Sequence, residues 1–578
     1  MFPITISTTL ATSLFLTAII REERWFVAGQ NVFNPITPGV RQLANDLLKN
    51  GTIPGLSLAV VHLNGSLDSA DFGVKNEDGD QMTVDTLFGL ASCSKAFLAS
   101  SFGILIDDFA NGRNVTPLPD GVETLDWRTK IRDVLTDDWK LQDRWTTEKA
   151  DFRDLLSHQS GFPRHDLSYQ PIDTPLDVIR RQRYLRTAFE LRQRYHYNNQ
   201  MYILAAHVIS TLSKTPYTKF VQERIWDPLN MTYTTFNSSK ASQKGLLTQS
   251  WTTSGRRIPY WFSEEAVPLV AGPMGIISNV IDLSKWVRTL LNGGVDPTTN
   301  ITIVPVSAWQ EESSGQIIID PAPSFPDYSL SAYGHGWMRQ SYQGYEILAH
   351  AGAIPGFSSY IYLLPSQGLG IIVLGNADNK QNQESAITLR VIEEYLNLPP
   401  VASIQYASLS PEFDVPKPKD GRGEVALEKY TGVYRSPGYS EVALCDPRTS
   451  TNDSRRCKEI LGTYSKLEDV GATNGTLYFA LPGVWVSHGR LAYDEGDYFQ
   501  FTATYLFPDG YGRNKTAFES AVTPQTVGTA RFVVSEDESR EVTGFGLFGL
   551  VGEETNRERW GGTVEETADV WFERIGGL

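Results

Sequence analysis

Residues 399–424 carry Pro399, Pro400, Pro411, Pro416 and Pro418, followed by Asp420-Gly-Arg-Gly423. Proline fixes φ and removes a backbone donor, so neither a helix nor a central strand runs through such a stretch, and it reads as a linker. It separates two regions of different pattern. On its N-terminal side, over residues 35–398, strand-like apolar runs at Gly55–His62, Tyr360–Leu364 and Gly370–Leu374 bracket helical periodicities at 92–110, 199–213 and 282–292, and a helical segment at 384–396 closes the region. Strands at both ends with helices between predict an α/β domain whose sheet pairs its own termini. On its C-terminal side, over residues 425–578, short alternating runs such as Gly475–Ala480, Tyr498–Tyr505 and Ala530–Val534 are spaced by Gly, Asn and Asp turns. These predict a small all-β barrel or sandwich of about 150 residues.

Composition narrows the function classes. Hydrophobic residues make up 41% of the 578, enough for real cores. Fifty-one Lys and Arg stand against 67 Asp and Glu, a net charge of −16 with no basic run, which argues against nucleic acid as a partner. Three cysteines exclude a four-cysteine zinc site. Cys445 and Cys457, in a polar stretch, suit either a local disulfide or two free thiols. The eight histidines form no His-x-His or His-Glu-x-x-His pair, and no serine sits in Gly-x-Ser-x-Gly. Neither a metalloenzyme nor an α/β-hydrolase is indicated, and no cofactor is expected.

Residues 1–24 open with an uncharged, Thr-rich apolar run ending at Arg21, read as a signal peptide or an uncleaved N-terminal anchor. Asn-x-Ser/Thr sequons begin at Asn50, Asn64, Asn114, Asn230, Asn237, Asn300, Asn452, Asn474 and Asn514. Chance would give roughly three or four, so the excess predicts a glycosylated, secreted protein of a eukaryote, membrane-bound only if the leader is retained.

Three segments carry chemistry. In the first, Ser92 and Lys95 form Ser-x-x-Lys at the start of a helix that Leu98, Phe102, Leu105 and Phe109 predict to be amphipathic. Three residues along a helix share a face, so the Lys95 amine reaches the Ser92 hydroxyl. Serine is a weak nucleophile until a neighbour takes its proton, and a lysine of depressed pKa can do so. The plainer reading is a capping serine and a surface lysine. In the second, Tyr197 and Asn199 form Tyr-x-Asn before the helix at 199–213; the plainer reading is a core aromatic and a helix cap. In the third, His350-Ala-Gly352 is expected at the start of an edge strand, where a ligand could lie along exposed backbone and the Ala353 N–H could bind an oxyanion. The plainer reading is a glycine-rich turn with an incidental histidine. Cys93 is expected to be a small buried helix residue, and His158 and His335 to be structural.

In this order the three motifs resemble those of the serine β-lactamase and penicillin-binding-protein superfamily, nearest to its class C β-lactamase-related hydrolases. Framework strings resemble it too: Leu155–Gly161 (Leu-Leu-Ser-His-Gln-Ser-Gly), Gly272–Trp286, Tyr333–Trp337 and Pro355–Ser359. The resemblance implies an α+β fold, an antiparallel sheet flanked by helices with an all-helical lobe and the site between them. It implies Ser92 as acyl-forming nucleophile, and Lys95 and Tyr197 as the proton-transfer pair. Asn199 would orient the substrate, and the N–H groups of Ser92 and Ala353 would form the oxyanion hole. His350 departs from the lysine usual at its position, which puts β-lactam hydrolysis in doubt. Leu427–Tyr434 resembles the opening strand of a lipocalin-like barrel found behind some of these hydrolases.

The function expected is therefore a secreted hydrolase of an ester, amide or peptide, including D-amino-acid derivatives. The alternative is an acyltransferase or peptide-cyclising enzyme. A non-catalytic binding protein would more readily have lost Ser92, Lys95 or Tyr197.

Overall fold

The computed structural model describes residues 34–323, 325–401, 417–419, 425–448, 454–467, 475–521 and 526–578. The leader or anchor expected at 1–24, most of the linker, and the sequons at Asn452 and Asn474 lie outside the described residues.

The N-terminal region builds one eight-stranded antiparallel sheet from β1 (Gly55–His62), β2 (Leu67–Gly73), β3 (Ile317–Asp320), β4 (Ser331–Tyr333), β5 (Met338–Tyr342), β6 (Tyr345–Ile354), β7 (Phe357–Leu364) and β8 (Leu369–Gly375). Their spatial order is β2-β1-β8-β7-β6-β5-β4-β3. The first and last strands of the region lie side by side, Leu56 opposite Gly375 and His62 opposite Leu369, as the sequence pattern predicts. Side chains alternate across a strand, and here both faces are covered. Leu56, Leu58 and Val60 pack with helices α1 (Pro38–Gly51) and α6 (Gln381–Leu396), through Val40, Ala44 and Ile387. Ala59 and Val61 face the opposite side, toward the helical lobe of α2 (Ser94–Ala110), α3 (Gln200–Ser213), α4 (Val267–Met274) and α5 (Val280–Leu291). That two-sided burial explains why β1 and β8 read as continuous apolar runs.

Helix α2 departs from the amphipathic expectation: every residue from Ser94 to Leu105 is buried. Its nominally polar face is made of small residues that pair within the lobe. Ser101 Oγ donates to Phe97 O at 2.7 Å, and Ser100 Oγ to Glu312 Oε2 at 2.7 Å. A helix covered on all sides is the core of the lobe, and it holds Lys95 away from water.

The C-terminal strands are β9 (Gly432–Ser436), β10 (Ser440–Leu444), β11 (Thr476–Ala480), β12 (His488–Glu495), β13 (Tyr498–Phe507), β14 (Phe518–Ser520), β15 (Val527–Val534), β16 (Val542–Phe548) and β17 (Val570–Gly576). They order as β10-β9-β17-β16-β15-β13-β12-β11, with β14 on β13. Reciprocal backbone hydrogen bonds of 2.9 Å between Cys445 and Tyr478 join the two ends, so the sheet is a nearly closed barrel. Cys445 is disulfide-bonded to Cys457 on helix α7 (Arg455–Tyr464), which settles the choice left open by the sequence. Aromatic rings fill the interior, Phe499 on Phe532, Phe532 on Phe545 and Phe545 on Phe572, with centroids 5.2, 5.0 and 4.8 Å apart. Apolar packing runs without a break from this barrel into the helical lobe, where Trp261 meets Tyr505 and Phe262 meets Trp485.

Among the described residues no helix is long and apolar enough to cross a membrane.

Candidate active site

The nucleophile candidate sits in a tight turn ahead of its helix. Ser92 lies within a 3₁₀ turn, Ala91–Cys93, and α2 starts only at Ser94. Ala91, immediately before it, has φ +48°, a conformation that costs a non-glycine residue energy and is held by its surroundings. One of those surroundings is β6. A Cβ on Gly352 would stand 2.4 Å from Leu90 O and 2.2 Å from Ser359 Oγ, so only glycine lets the strand pass this close to the turn.

Ser92 Oγ lies 2.6 Å from the Tyr197 hydroxyl and 3.2 Å from Lys95 Nζ. Lys95 Nζ also donates to Asn199 Oδ1 and to the Pro273 carbonyl, each at 2.9 Å. The Lys95 side chain is fully buried, and the Tyr197 ring lies 4.7 Å from its nitrogen. Burial, aided by the nearby Arg164 guanidinium, holds its pKa well below the ordinary lysine value. Burial also holds the Tyr197 phenol above its ordinary value, against the opposing pull of Arg164. Burial thus disfavours both the ammonium form of Lys95 and the phenolate form of Tyr197.

Three oxygens surround Nζ: Asn199 Oδ1, the Pro273 carbonyl and Ser92 Oγ. A neutral amine has two N–H donors and one lone pair. An ammonium would donate to all three oxygens around Nζ; the neutral amine that burial favours donates to the two carbonyls and turns its lone pair to Ser92. The amide of Asn199 is fixed the right way round because its Nδ2 donates to Asp166 Oδ1 at 3.2 Å, and a carboxylate only accepts. Helix capping falls to its neighbour: Asn198 Oδ1 accepts from Met201 N at 3.1 Å, so the plainer sequence reading applies to Asn198 and leaves Asn199 free for Lys95.

His350 is not at the start of an edge strand. It is the sixth residue of β6, which runs inside the sheet between β5 and β7. The backbone is open there for another reason: pairing with β5 ends at Ala349, while pairing with β7 continues to Ile354. His350 Nδ1 lies 2.7 Å from Ala351 O and Nε2 lies 2.8 Å from the Tyr333 hydroxyl, so Nδ1 donates and Nε2 accepts. Burial pushes its pKa down to about 3. It supplies no positive charge.

Cys93 is buried at the back of the turn, its thiol donating to His350 O at 3.2 Å, and burial pushes its pKa up to about 12. That is an inert thiol. His158 is fully buried behind Tyr197, ring centroids 4.5 Å apart, with Nδ1 accepting from Asn198 N. His335 is fully buried too.

A cleft of about 360 Å³ opens over Ser92 and is lined by Arg164, Tyr195, Tyr197, Tyr333 and the β6 backbone from Ala349 to Ala353. Arg164 went unnoticed in the sequence. Its Nε donates to the buried Asp166 at 2.7 Å, and its guanidinium lies 4.9 Å from the Tyr197 ring. It supplies the fixed cation that His350 does not. Arg164 and Asp166 come three and five residues after the Leu155–Gly161 string; charged residues placed soon after a framework string were the signal available.

The Beta-lactamase family model matches residues 40–394, and the chain belongs to that family. It is 28% identical over 442 residues to an unguisins hydrolase of Aspergillus campestris, covering 71% of this chain and 78% of that one. Among solved structures it resembles an octameric penicillin-binding protein homologue of Pyrococcus abyssi, with TM-score 0.52, 16% identity, and coverage of 93% of this chain and 99% of the other. It also resembles a D-amino acid amidase of Ochrobactrum anthropi, with TM-score 0.50, 22% identity, and coverage of 62% and 98%.

Proposed function

We propose that the protein is a secreted serine hydrolase that cleaves an ester or amide through an acyl-enzyme on Ser92. The observation that carries this reading is the set of contacts at Lys95 Nζ: two carbonyl acceptors at 2.9 Å and the Ser92 hydroxyl at 3.2 Å, on a buried side chain. Ser92 Oγ attacks the substrate carbonyl as its proton passes to Lys95. Tyr197, 2.6 Å from the same oxygen, hands a proton to the leaving group and is replenished from Lys95. The N–H groups of Ser92 and Ala353 receive the oxyanion. Water then attacks the ester by the same relay in reverse.

Amide cleavage, with D-aminoacyl amides first among candidates, is supported by the unguisins hydrolases and the D-amino acid amidase among its likenesses. The neutral His350 argues against recognition of a substrate carboxylate at that position. Residues 35–398 form the catalytic domain, and residues 425–578 a lipocalin-like domain behind it. Secretion is supported by the Cys445–Cys457 disulfide, which persists in oxidising compartments, and by the exposure of Asn50, Asn64, Asn114, Asn230, Asn300 and Asn514.

The test is a panel of aryl esters, D- and L-amino-acid amides and a chromogenic cephalosporin, assayed with wild type and Ser92→Ala. Turnover of an ester or amide that Ser92→Ala abolishes while remaining folded supports the reading. Turnover that survives the substitution refutes it.

A further inference from the structure

A hydrogen-bonded chain leads from the C-terminal barrel to the lysine beside Ser92. Trp485 lies in the connection between β11 and β12, 4% exposed. Its indole Nε1 donates to the Tyr169 hydroxyl at 2.9 Å. The Tyr169 hydroxyl donates to Asp166 Oδ1 at 2.8 Å. The same Asp166 oxygen accepts from Asn199 Nδ2 at 3.2 Å, and Asn199 Oδ1 accepts from Lys95. The direction of every bond is forced. An indole N–H only donates and a carboxylate only accepts, so the tyrosine proton must point at Asp166 and the Asn199 amide must present its oxygen to Lys95.

The connection that carries Trp485 is anchored on the catalytic side. Val484 N donates to Tyr169 O at 3.1 Å, and Trp261 Nε1 donates to Val484 O at 2.9 Å. Next to it, the Tyr439 hydroxyl lies 2.7 Å from His165 Nδ1. Trp485 is therefore held on the lobe it contacts, rather than resting on a loose loop.

We propose that Trp485 and Tyr169 are positioning residues, through which the C-terminal barrel fixes the Asp166–Asn199 pair and so the orientation and basicity of the Lys95 amine. This rests on Ser92 and Lys95 acting as proposed above. The physical reason is charge sharing. Donors on Asp166 spread its negative charge over the network. Removing one leaves more of that charge to stabilise a Lys95 ammonium, and loosens the amide that orients the amine. The other titratable groups around Lys95 stay in place: Arg164, Cys93, Tyr197, Tyr202 and the neutral His158 and His350.

The experiment measures the pH dependence of Ser92 acylation by an activated ester in wild type, Trp485→Phe, Tyr169→Phe and the double variant. Both substitutions keep an aromatic ring in its packed site. Each single variant is expected to lose about three- to tenfold in acylation rate with KM little changed, and to move the acid limb to higher pH. Because the two bonds are in series, the double variant is expected to match Tyr169→Phe alone in both readouts. An unmoved acid limb in soluble Tyr169→Phe, or additive limb shifts in the double variant, overturns the proposal and leaves the nucleophile assignment intact. If one single variant is insoluble, the limb of the other decides. Absence of Ser92 labelling in wild type would instead refute the reading of the site itself.

Discussion

Replacing Tyr197 by Phe removes one oxygen, 2.6 Å from Ser92 Oγ, and leaves the ring where it is. The ring is held by His158, with centroids 4.5 Å apart, and by the Arg164 guanidinium at 4.9 Å. Ser92 keeps its contact with Lys95, so its own deprotonation survives. What disappears is the acid that serves the leaving group. The lost ground-state hydrogen bond is worth about 1 kcal/mol, whereas a positioned general acid is worth about 10²–10⁴ in rate, or about 2.7–5.4 kcal/mol. An amine cannot leave without a proton, but a nitrophenolate can. Tyr197→Phe is therefore expected to lose about 10²–10⁴ in kcat/KM on an amide and less than about tenfold on the matching nitrophenyl ester. The assay compares the two substrates with the same acyl group. Equal losses on both would refute the assignment of Tyr197 as proton donor and reduce it to a packing residue.

His350→Gln is expected to leave the shape of the pH–rate profile between pH 5 and 8 unchanged, because burial keeps the wild-type ring neutral throughout that range; loss of an ionisation near 6.5 would contradict this. Arg164→Gln removes a cation that disfavours the Lys95 ammonium and leaves Asp166 less neutralised, so both effects raise the lysine pKa. The acid limb of kcat/KM should move to higher pH, with a loss of about tenfold at pH values below it. Cys457→Ser opens a crosslink between residues 12 apart in sequence, and should destabilise the barrel by about 3 kcal/mol, read as an earlier denaturant transition in its aromatic signal.

The sequence carried the parts of the site that depend on local spacing. Ser92 and Lys95 are three residues apart, and the sequence spacing brings them together because the 3₁₀ turn carrying Ser92 runs straight into α2. The pairing of β1 with β8 was legible because apolar runs stood at both ends of a helical region. The rest depends on contacts across long stretches of chain. Tyr197 reaches Ser92 from 105 residues away, and only the motif resemblance suggested it. Nothing local distinguishes Asn198, which caps α3, from Asn199, which meets Lys95. The edge-strand expectation for His350 failed because strand order is set by pairing partners that sequence does not display; the open backbone comes instead from β5 ending early. Helix α2 misled because serines that look solvent-facing pair inside the lobe. Arg164, Asp166, Tyr169 and Trp485 occupy no motif, and their roles come from segments far apart in the chain meeting in space.

The central claim is that a neutral Lys95 takes the proton of Ser92. Its most direct test is the rate at which a fluorophosphonate labels the protein, followed by intact mass and peptide mapping across pH, in wild type and Lys95→Ala. The account expects a single adduct on Ser92, with a rate that falls in acid along one ionisation well below the ordinary lysine value. In Lys95→Ala, labelling should be slower by about 10² or more and that limb should vanish. An adduct on another residue, or the same acid limb in Lys95→Ala, would contradict it.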